Sequence, residues 1–295
     1  MVRALGRGFS LKTLGLFPHL KNSTVNNRTH ELIQILDQYD FRVLLEEVTA
    51  RRLGREDLGC NRQQMLEKID CGIVLGGDGA LLSVARRIYP RQTPIFGINL
   101  GHLGFLTEVD EKEMGMAVAR LKQGEFQLEQ RLMVEATIVR QGQAAESFVA
   151  LNDLVVTKGA FARMLRLKIR IDGHLTAAFP ADGMIISTPT GSTAYSLSAG
   201  GPVIDPRLSV LLLTPICAHS FFARPLVFGE KARIEVEFAS TSNDVMLTAD
   251  GQEGAPLQAG DIVRCYAAPH HTQLIKFNKE TFYDLLQARF REGRI

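Results

Sequence analysis

The apolar run Cys71-Gly72-Ile73-Val74-Leu75 passes without a break into Gly76-Gly77-Asp78-Gly79, after which Leu81, Leu82, Val84, Ala85 and Ile88 recur at helical spacing. So short an unbroken run reads as a strand buried on both faces, and a strand of that kind belongs to a parallel sheet covered by helices. The glycine turn delivers it directly into a helix starting at Ala80. The neighbouring sequence keeps the same rhythm. Leu14–Phe17 is a strand stopped by Pro18, and Leu32, Ile33, Ile35, Leu36 and Tyr39 mark a helix. Phe41–Glu47 and Pro94–Asn99 are further strands, with helices over Gln63–Ile69 and Glu111–Leu121. The first part of the chain is therefore expected to be an α/β domain built on an open parallel sheet.

Past about Gly124 the pattern changes to short strand-like segments separated by turns. They are Met133–Arg140, Leu151–Thr157, Leu165–Ile171, Met184–Ser187, Val210–Leu213, Ala232–Phe238, Val245–Thr248, Ile262–Tyr266 and Gln273–Phe277. Asp172-Gly173 is the clearest hairpin signal among them. The expected division is an α/β domain over 1–125, a β-rich domain over 126–277 and a C-terminal helix over 278–295 that packs back on the first domain. Phe282, Leu285, Leu286 and Phe290 supply the apolar stripe of that helix.

At 295 residues the chain has room for two such domains, and its 34 basic against 32 acidic residues leave a formal charge of only +2. That balance gives no electrostatic case for a nucleic-acid or membrane partner, so an anionic ligand would have to be held locally. No apolar stretch approaches the ~20 residues that span a bilayer. The four cysteines form no CxxC pair, which fits reduced thiols in the cytoplasm.

Two segments carry chemistry. In Gly76-Gly77-Asp78-Gly79 the glycines allow close approach to a ligand, and the following helix start offers amides to phosphate oxygens. Asp78 places a carboxylate beside that cradle, where it would repel phosphate unless it accepts a proton from an attacking hydroxyl or helps to hold magnesium. The plainer reading is a glycine-rich turn with a solvated aspartate. The second segment, Asp182–Gly201, runs from a short strand into Ser187-Thr188-Pro189-Thr190-Gly191-Ser192-Thr193-Ala194-Tyr195-Ser196-Leu197-Ser198. Its hydroxyls suit a ligand rich in sugar and phosphate oxygens, and Tyr195 offers a flat face for an aromatic ring.

With these two segments, the chain resembles bacterial NAD kinases over nearly its whole length. Further matches are Gly97-Ile98-Asn99, Leu103-Gly104-Phe105-Leu106, Asn152-Asp153, Thr214-Pro215-Ile216, Arg224-Pro225-Leu226-Val227 and Asp250-Gly251-Gln252. The GGDG turn also occurs in phosphofructokinases and diacylglycerol-type lipid kinases, whereas the Ser-Thr-Pro-Thr-Gly-Ser-Thr-Ala-Tyr run is far more specific. The resemblance implies that ATP, with a divalent ion such as magnesium, phosphorylates the 2′-hydroxyl of the adenosine ribose of NAD at a cleft between the two domains. It implies Asp78 as proton acceptor, Gly76, Gly77 and Gly79 as phosphate loop, and Gly79 also against the dinucleotide. Asn152, Asp153, Arg163, Asp182, Thr193, Ala194, Tyr195, Ser198 and Gln252 complete the implied NAD site. Relatives usually carry glutamate where this chain has Asp153. The resemblance also implies a homodimer or homotetramer. Two alternatives stay open: a GGDG kinase acting on a lipid or sugar, and a non-catalytic NAD(P)-binding regulator.

Overall fold

The computed structural model describes residues 3–4, 11–20, 23–101, 104–159, 163–221, 223–239, 244–277 and 281–291. Leu103, the first residue of the Leu103-Gly104-Phe105-Leu106 motif, lies outside them. The chain divides into two units, Met1–Gln130 with Thr272–Ala288, and Arg131–His271 with Arg289–Ile295.

In the first unit the elements run β1 (Arg3–Ala4), β2 (Thr13–Pro18), α1 (Ser23–Gln38), β3 (Arg42–Glu46), α2 (Glu47–Leu53), β4 (Gly59–Cys60) and α3 (Arg62–Lys68). They continue with β5 (Cys71–Leu75), α4 (Asp78–Ile88), β6 (Ile95–Asn99), β7 (Val109–Asp110), α5 (Met114–Gln123) and β8 (Gln127–Arg131). Strands β3, β2, β5 and β6 are neighbours in parallel pairing, and β5 and β6 are buried throughout. From β2 the chain steps outward to β3 and β4, then returns to the other side of β2 as β5 and moves on to β6. The direction of winding therefore reverses between β2 and β5. In open α/β sheets the crevice outside the carboxyl ends of the strands at such a reversal is where ligands bind. Gly76-Gly77 occupies that end of β5.

Three expectations need correction here. Helix α4 begins at Asp78 rather than Ala80, with Gly77 as its cap, and the Ala80 amide already donates to Gly77 O at 3.0 Å. Phe41–Glu47 is shorter as a strand, because Glu47 opens α2, which ends on Gly54 in the left-handed region. The strand expected over Gln273–Phe277 is β21 (Thr272–Lys276), and it lies in the first unit's sheet, parallel to β6, rather than in the β-rich part. The apolar content of a strand says that it is buried but not which sheet buries it. Past β21, Phe277 packs edge-on against Phe96 at 5.7 Å, and Lys276 pairs with Glu108 at 2.8 Å. Helix α6 (Phe282–Arg291) follows, and Phe282 meets Phe105 of the same unit with ring centroids 6.1 Å apart.

Among the described residues the second unit holds two six-stranded antiparallel sheets. One contains β9 (Val134–Arg140), β10 (Gln143–Ala150), β12 (Leu165–Ile171), β13 (His174–Ala181), β17 (Ile234–Ala239) and β20 (Ile262–Ala267). The other contains β11 (Asp153–Lys158), β14 (Gly183–Ser187), β15 (Val210–Ile216), β16 (Leu226–Gly229), β18 (Val245–Ala249) and β19 (Glu253–Leu257). Residues of both sheets, among them Ile138, Leu167, Val236, Leu154, Ile186 and Leu247, share one core cluster, so the sheets stack face to face. Asp172 and Gly173 both have positive φ, 51° and 82°, as the β12–β13 hairpin requires. Strands β10 and β16 escaped the sequence reading because they are edge strands with mostly exposed residues, and so show little apolar signal.

On the second sheet side chains alternate between two faces. Leu154 and Val156 join the core between the sheets, while Val155, Ile185 and Ile216 form a small outer cluster with Ala199. The segment after β14 therefore packs on this outer face, which is also the face of Asp153. Among the described residues no helix is long and apolar enough to cross a membrane.

Candidate active site

Asp78 is held by a loop that the sequence reading undervalued. Its Oδ2 accepts the Phe105 amide at 2.8 Å. Its Oδ1 accepts the amides of Leu106 at 3.2 Å and Thr107 at 3.1 Å, and the Thr107 hydroxyl at 3.2 Å. A carboxylate offers about four lone-pair sites. With three donors on Oδ1 and one on Oδ2 among the described residues, the remaining acceptor position belongs to Oδ2. The loop comes this close because residue 104 is glycine: a Cβ there would overlap the Asp78 carboxylate. Thr107 is 1% exposed and also accepts the Gly104 amide at 3.0 Å, so it braces both the loop and the carboxylate. The residues Leu103-Gly104-Phe105-Leu106 had been matched as a motif, but nothing in the sequence pointed to Thr107.

In the phosphate turn Gly76 is buried while Gly77 and Gly79 are exposed. A Cβ on Gly77 would meet nothing within 4 Å, so packing within the protein does not demand glycine there. His19, at the end of β2, donates its amide to Leu75 O at 2.9 Å and thus flanks this turn at the reversal point of the sheet. It is a second residue that the sequence reading passed over.

The remaining site residues lie in the second unit. The hydroxyl-rich run behaves differently from expectation, because most of its hydroxyls bind the chain itself. Ser187 Oγ donates to Asn152 O at 3.1 Å and Thr188 Oγ1 to Leu151 O at 2.5 Å. Ser192 Oγ donates to Pro189 O at 2.7 Å, Ser196 Oγ bonds Thr214 Oγ1 at 2.8 Å, and the buried Arg131 donates to Thr190 Oγ1 at 3.3 Å. These groups fix the turn's shape. Toward solvent the run leaves Thr193, Ala194 and Leu197 half-buried and Tyr195 and Ser198 exposed, with Thr193 Oγ1 still donating to Thr190 O at 3.3 Å. All but Leu197 are residues that the family resemblance marks for NAD.

Asn152 follows the same division between framework and display. Its amide donates to Asp250 Oδ1 at 2.7 Å, and its carbonyl accepts the Thr188 amide at 2.9 Å. Its side-chain Oδ1 is buried and has no hydrogen-bond partner. Leaving such an atom unpaired costs about 1–3 kcal/mol, so it stands ready for a ligand donor. Asp182 pairs with Lys158 at 3.6 Å, Gln252 is exposed after the Asp250-Gly251 turn, and Arg163 is exposed.

Asp153 is only 4% exposed, and burial together with the nearby Asp250 charge pushes its carboxyl up to about 7. Unfolded, an aspartate ionises near ~4, so between about pH 4 and pH 7 the folded state binds the extra proton. The stability this gives is complete below about pH 4 and is lost as pH rises through about 7. Asp153→Asn cannot ionise. At pH 8 it is expected to be more stable than the parent by on the order of 2–4 kcal/mol, with the gap closing toward pH 4. Thermal melts across this range test the point, and a pH-independent gap would refute it.

Known proteins resemble this chain over nearly its whole length. The profile of the ATP-NAD kinase N-terminal domain matches residues 14–126, and that of the ATP-NAD kinase C-terminal domain matches residues 151–277. The NAD kinase of Moorella thermoacetica is 43% identical over 96% of this chain and 90% of its own. Among solved structures, yeast NADH kinase complexed with NADH superposes with a TM-score of 0.86 at 24% identity, covering 95% of this chain and 87% of that one. An Archaeoglobus fulgidus NAD kinase in complex with ATP gives 0.73 at 23% identity, covering 95% and 98%. The two structures establish the shared fold, and the sequence relatives and both domain profiles establish more: this chain belongs to the NAD kinase family.

Proposed function

We propose that the chain transfers the γ-phosphoryl group of ATP to the 2′-hydroxyl of the adenosine ribose of NAD, giving NADP and ADP. The observation that carries this reading is the Asp78 carboxylate, fixed by four donors with Oδ2 left to accept a fifth. A secondary hydroxyl is a poor nucleophile, and phosphoryl transfer depends on in-line placement and neutralised charge. Oδ2 receives the hydroxyl proton as the bond from O2′ to the γ-phosphorus forms and the bond to the β,γ-bridging oxygen breaks. ADP carries away the displaced electron pair. The Gly76–Gly79 turn, at the mouth of α4, serves the donor phosphates, with the Gly76 amide itself committed to Ile98 O at 3.0 Å.

On this reading Asn152 and Asp153 recognise the adenosine end of NAD. Asp182, Thr193, Ala194, Tyr195, Ser198, Gln252 and Arg163 line the rest, with Gly79 against the dinucleotide. ATP enters as its magnesium complex. Among the described residues no group of three or more His, Cys, Asp or Glu could hold a metal ion. We place the protein in the cytoplasm, where its four free cysteines stay reduced, and assign it a homodimeric or homotetrameric state. The edge strand β16, with Leu226 and Val227 exposed, is an available surface for such assembly.

The deciding experiment incubates the protein with ATP, magnesium and NAD and follows NADP through an NADP-specific dehydrogenase. Steady formation of NADP supports the reading. Phosphorylation of a lipid or sugar instead, or binding of NAD without turnover, would replace it with one of the alternatives. Tyr195, 46% exposed, has a ring face available for stacking. Tyr195→Ala is expected to weaken NAD binding by roughly 1–2 kcal/mol with little change for ATP. Calorimetric titration of both nucleotides measures this, and equal losses for the two would point to general damage.

A further inference from the structure

We infer that Asp250 is a positioning residue for the acceptor dinucleotide, acting through the main chain of Leu151–Asp153 to present the Asn152 amide. The inference rests on the function proposed above and adds to it a residue that makes no substrate contact of its own in this scheme. Three successive amides converge on one carboxylate: Leu151 N on Oδ2 at 3.2 Å, Asn152 N on Oδ1 at 2.7 Å and Asp153 N on Oδ1 at 3.2 Å. Asp250 N in turn donates to Asp153 O at 2.9 Å, which closes the link in both directions. Consecutive amides turned to one side form a concave site that favours an anion, and here the chain supplies the anion itself.

The opposite side of the bend is gripped independently. Asn152 O accepts both Thr188 N at 2.9 Å and Ser187 Oγ at 3.1 Å. Residue 191 is glycine, where a Cβ would overlap Asn152 O. Both main-chain polar groups of Asn152 are thus fixed, and the buried side-chain Oδ1 without a partner is what the framework leaves over. Asp250 holds this position with φ of 50°, a conformation that aspartate and asparagine tolerate better than most residues. The cost of that backbone is explained by what the carboxylate then reaches.

Asp250→Asn suits the same backbone and can keep its oxygen on the Asn152 and Asp153 amides, but its NH2 group then faces the Leu151 amide. The Michaelis constant for NAD is expected to rise about tenfold, while turnover at saturating NAD and the constant for ATP stay within about threefold. Asp250→Gly, at ease with positive φ and without any acceptor, should show the same selectivity with a larger rise, and it serves if the asparagine variant fails to fold. Asn152→Ala is the reference. If Asp250 acts through Asn152, the double variant has no higher constant for NAD than Asn152→Ala alone. Multiplying effects in the double variant would overturn the inference. So would an unchanged NAD constant in the Asp250 variants beside a raised one in Asn152→Ala, a result that leaves the proposed function standing. A parallel loss in turnover and in both substrates would show Asp250 to be merely structural. If Asn152→Ala binds NAD normally, or the parent makes no NADP, the proposed site and this inference fall together.

Discussion

Asp78→Asn is expected to lower turnover by about 10²–10⁴-fold, the usual range for losing a general base, while the Michaelis constant for NAD changes little. The loop makes this substitution harsher than its size suggests. Three donors point at Oδ1 and one at Oδ2, so an asparagine must put its oxygen at the Oδ1 position to avoid three donor–donor contacts. Its NH2 group is then forced to the Oδ2 position, where the hydroxyl proton was to go. The variant keeps the shape of the site and presents a donor in place of an acceptor. Steady-state kinetics with NAD and ATP varied separately measure the effect. An Asp78→Asn enzyme within threefold of the parent turnover would remove Asp78 from the chemistry.

Gly104→Ala should come second in severity, although residue 104 has no side chain to do chemistry. The added methyl group would occupy the position of the Asp78 carboxylate, so either that group rotates away or the loop withdraws and takes the Phe105, Leu106 and Thr107 amides with it. Forced overpacking of this kind costs about 1–3 kcal/mol of stability. Turnover is expected to fall by about 10²-fold, because misplacing a catalytic group by even 1 Å can have that effect. The mechanism is tested by combination: if Gly104 matters through Asp78, Gly104→Ala adds little on top of Asp78→Asn. Full multiplication of the two losses would assign the glycine some other duty.

The sequence revealed the architecture better than the working parts. Nine apolar segments foretold in the second half all became strands, since an inward-facing residue leaves its mark in composition. The strands that went unseen, such as β10 with Gln143, Glu146 and Ser147 exposed, carry no such mark, because backbone pairing alone places them. In the candidate site, the dense hydroxyls of Ser187–Ser198 were noticed for a good chemical reason but assigned to the wrong partner. Counting hydroxyls cannot separate those that turn inward, as Ser187, Thr188, Ser192 and Ser196 do, from those left for a ligand. Thr107 was missed, and Asp250, matched only as part of Asp250-Gly251-Gln252, was given no role, for a related reason. Thr107 matters through the Asp78 carboxylate and Asp250 through the Leu151–Asp153 amides, partners remote in sequence that no local pattern records.

The placement of β21 bears on how the chain is made. Leu274 pairs with Ile95 in the interior of the first sheet, so beyond the short β7 pairing at Ile98 and Asn99 the edge of β6 stays open until Thr272–Lys276 has been synthesised. The body of the second unit, Arg131–His271, is continuous, and only Arg289–Ile295 join it from later in the chain. Contacts between remote parts of a chain form slowly, and an unpaired strand edge is a place for wrong partners to join. On the ribosome the β-rich unit is therefore the one equipped to finish first, with the kinase loop's own sheet sealed last. A chain released before Thr272 would lose the strand that covers β6, along with Phe277 against Phe96 and Lys276 on Glu108. Ribosome-bound fragments ending before and after that strand should thus differ sharply in their resistance to protease over residues 71–99, and much less over the strands of the second unit.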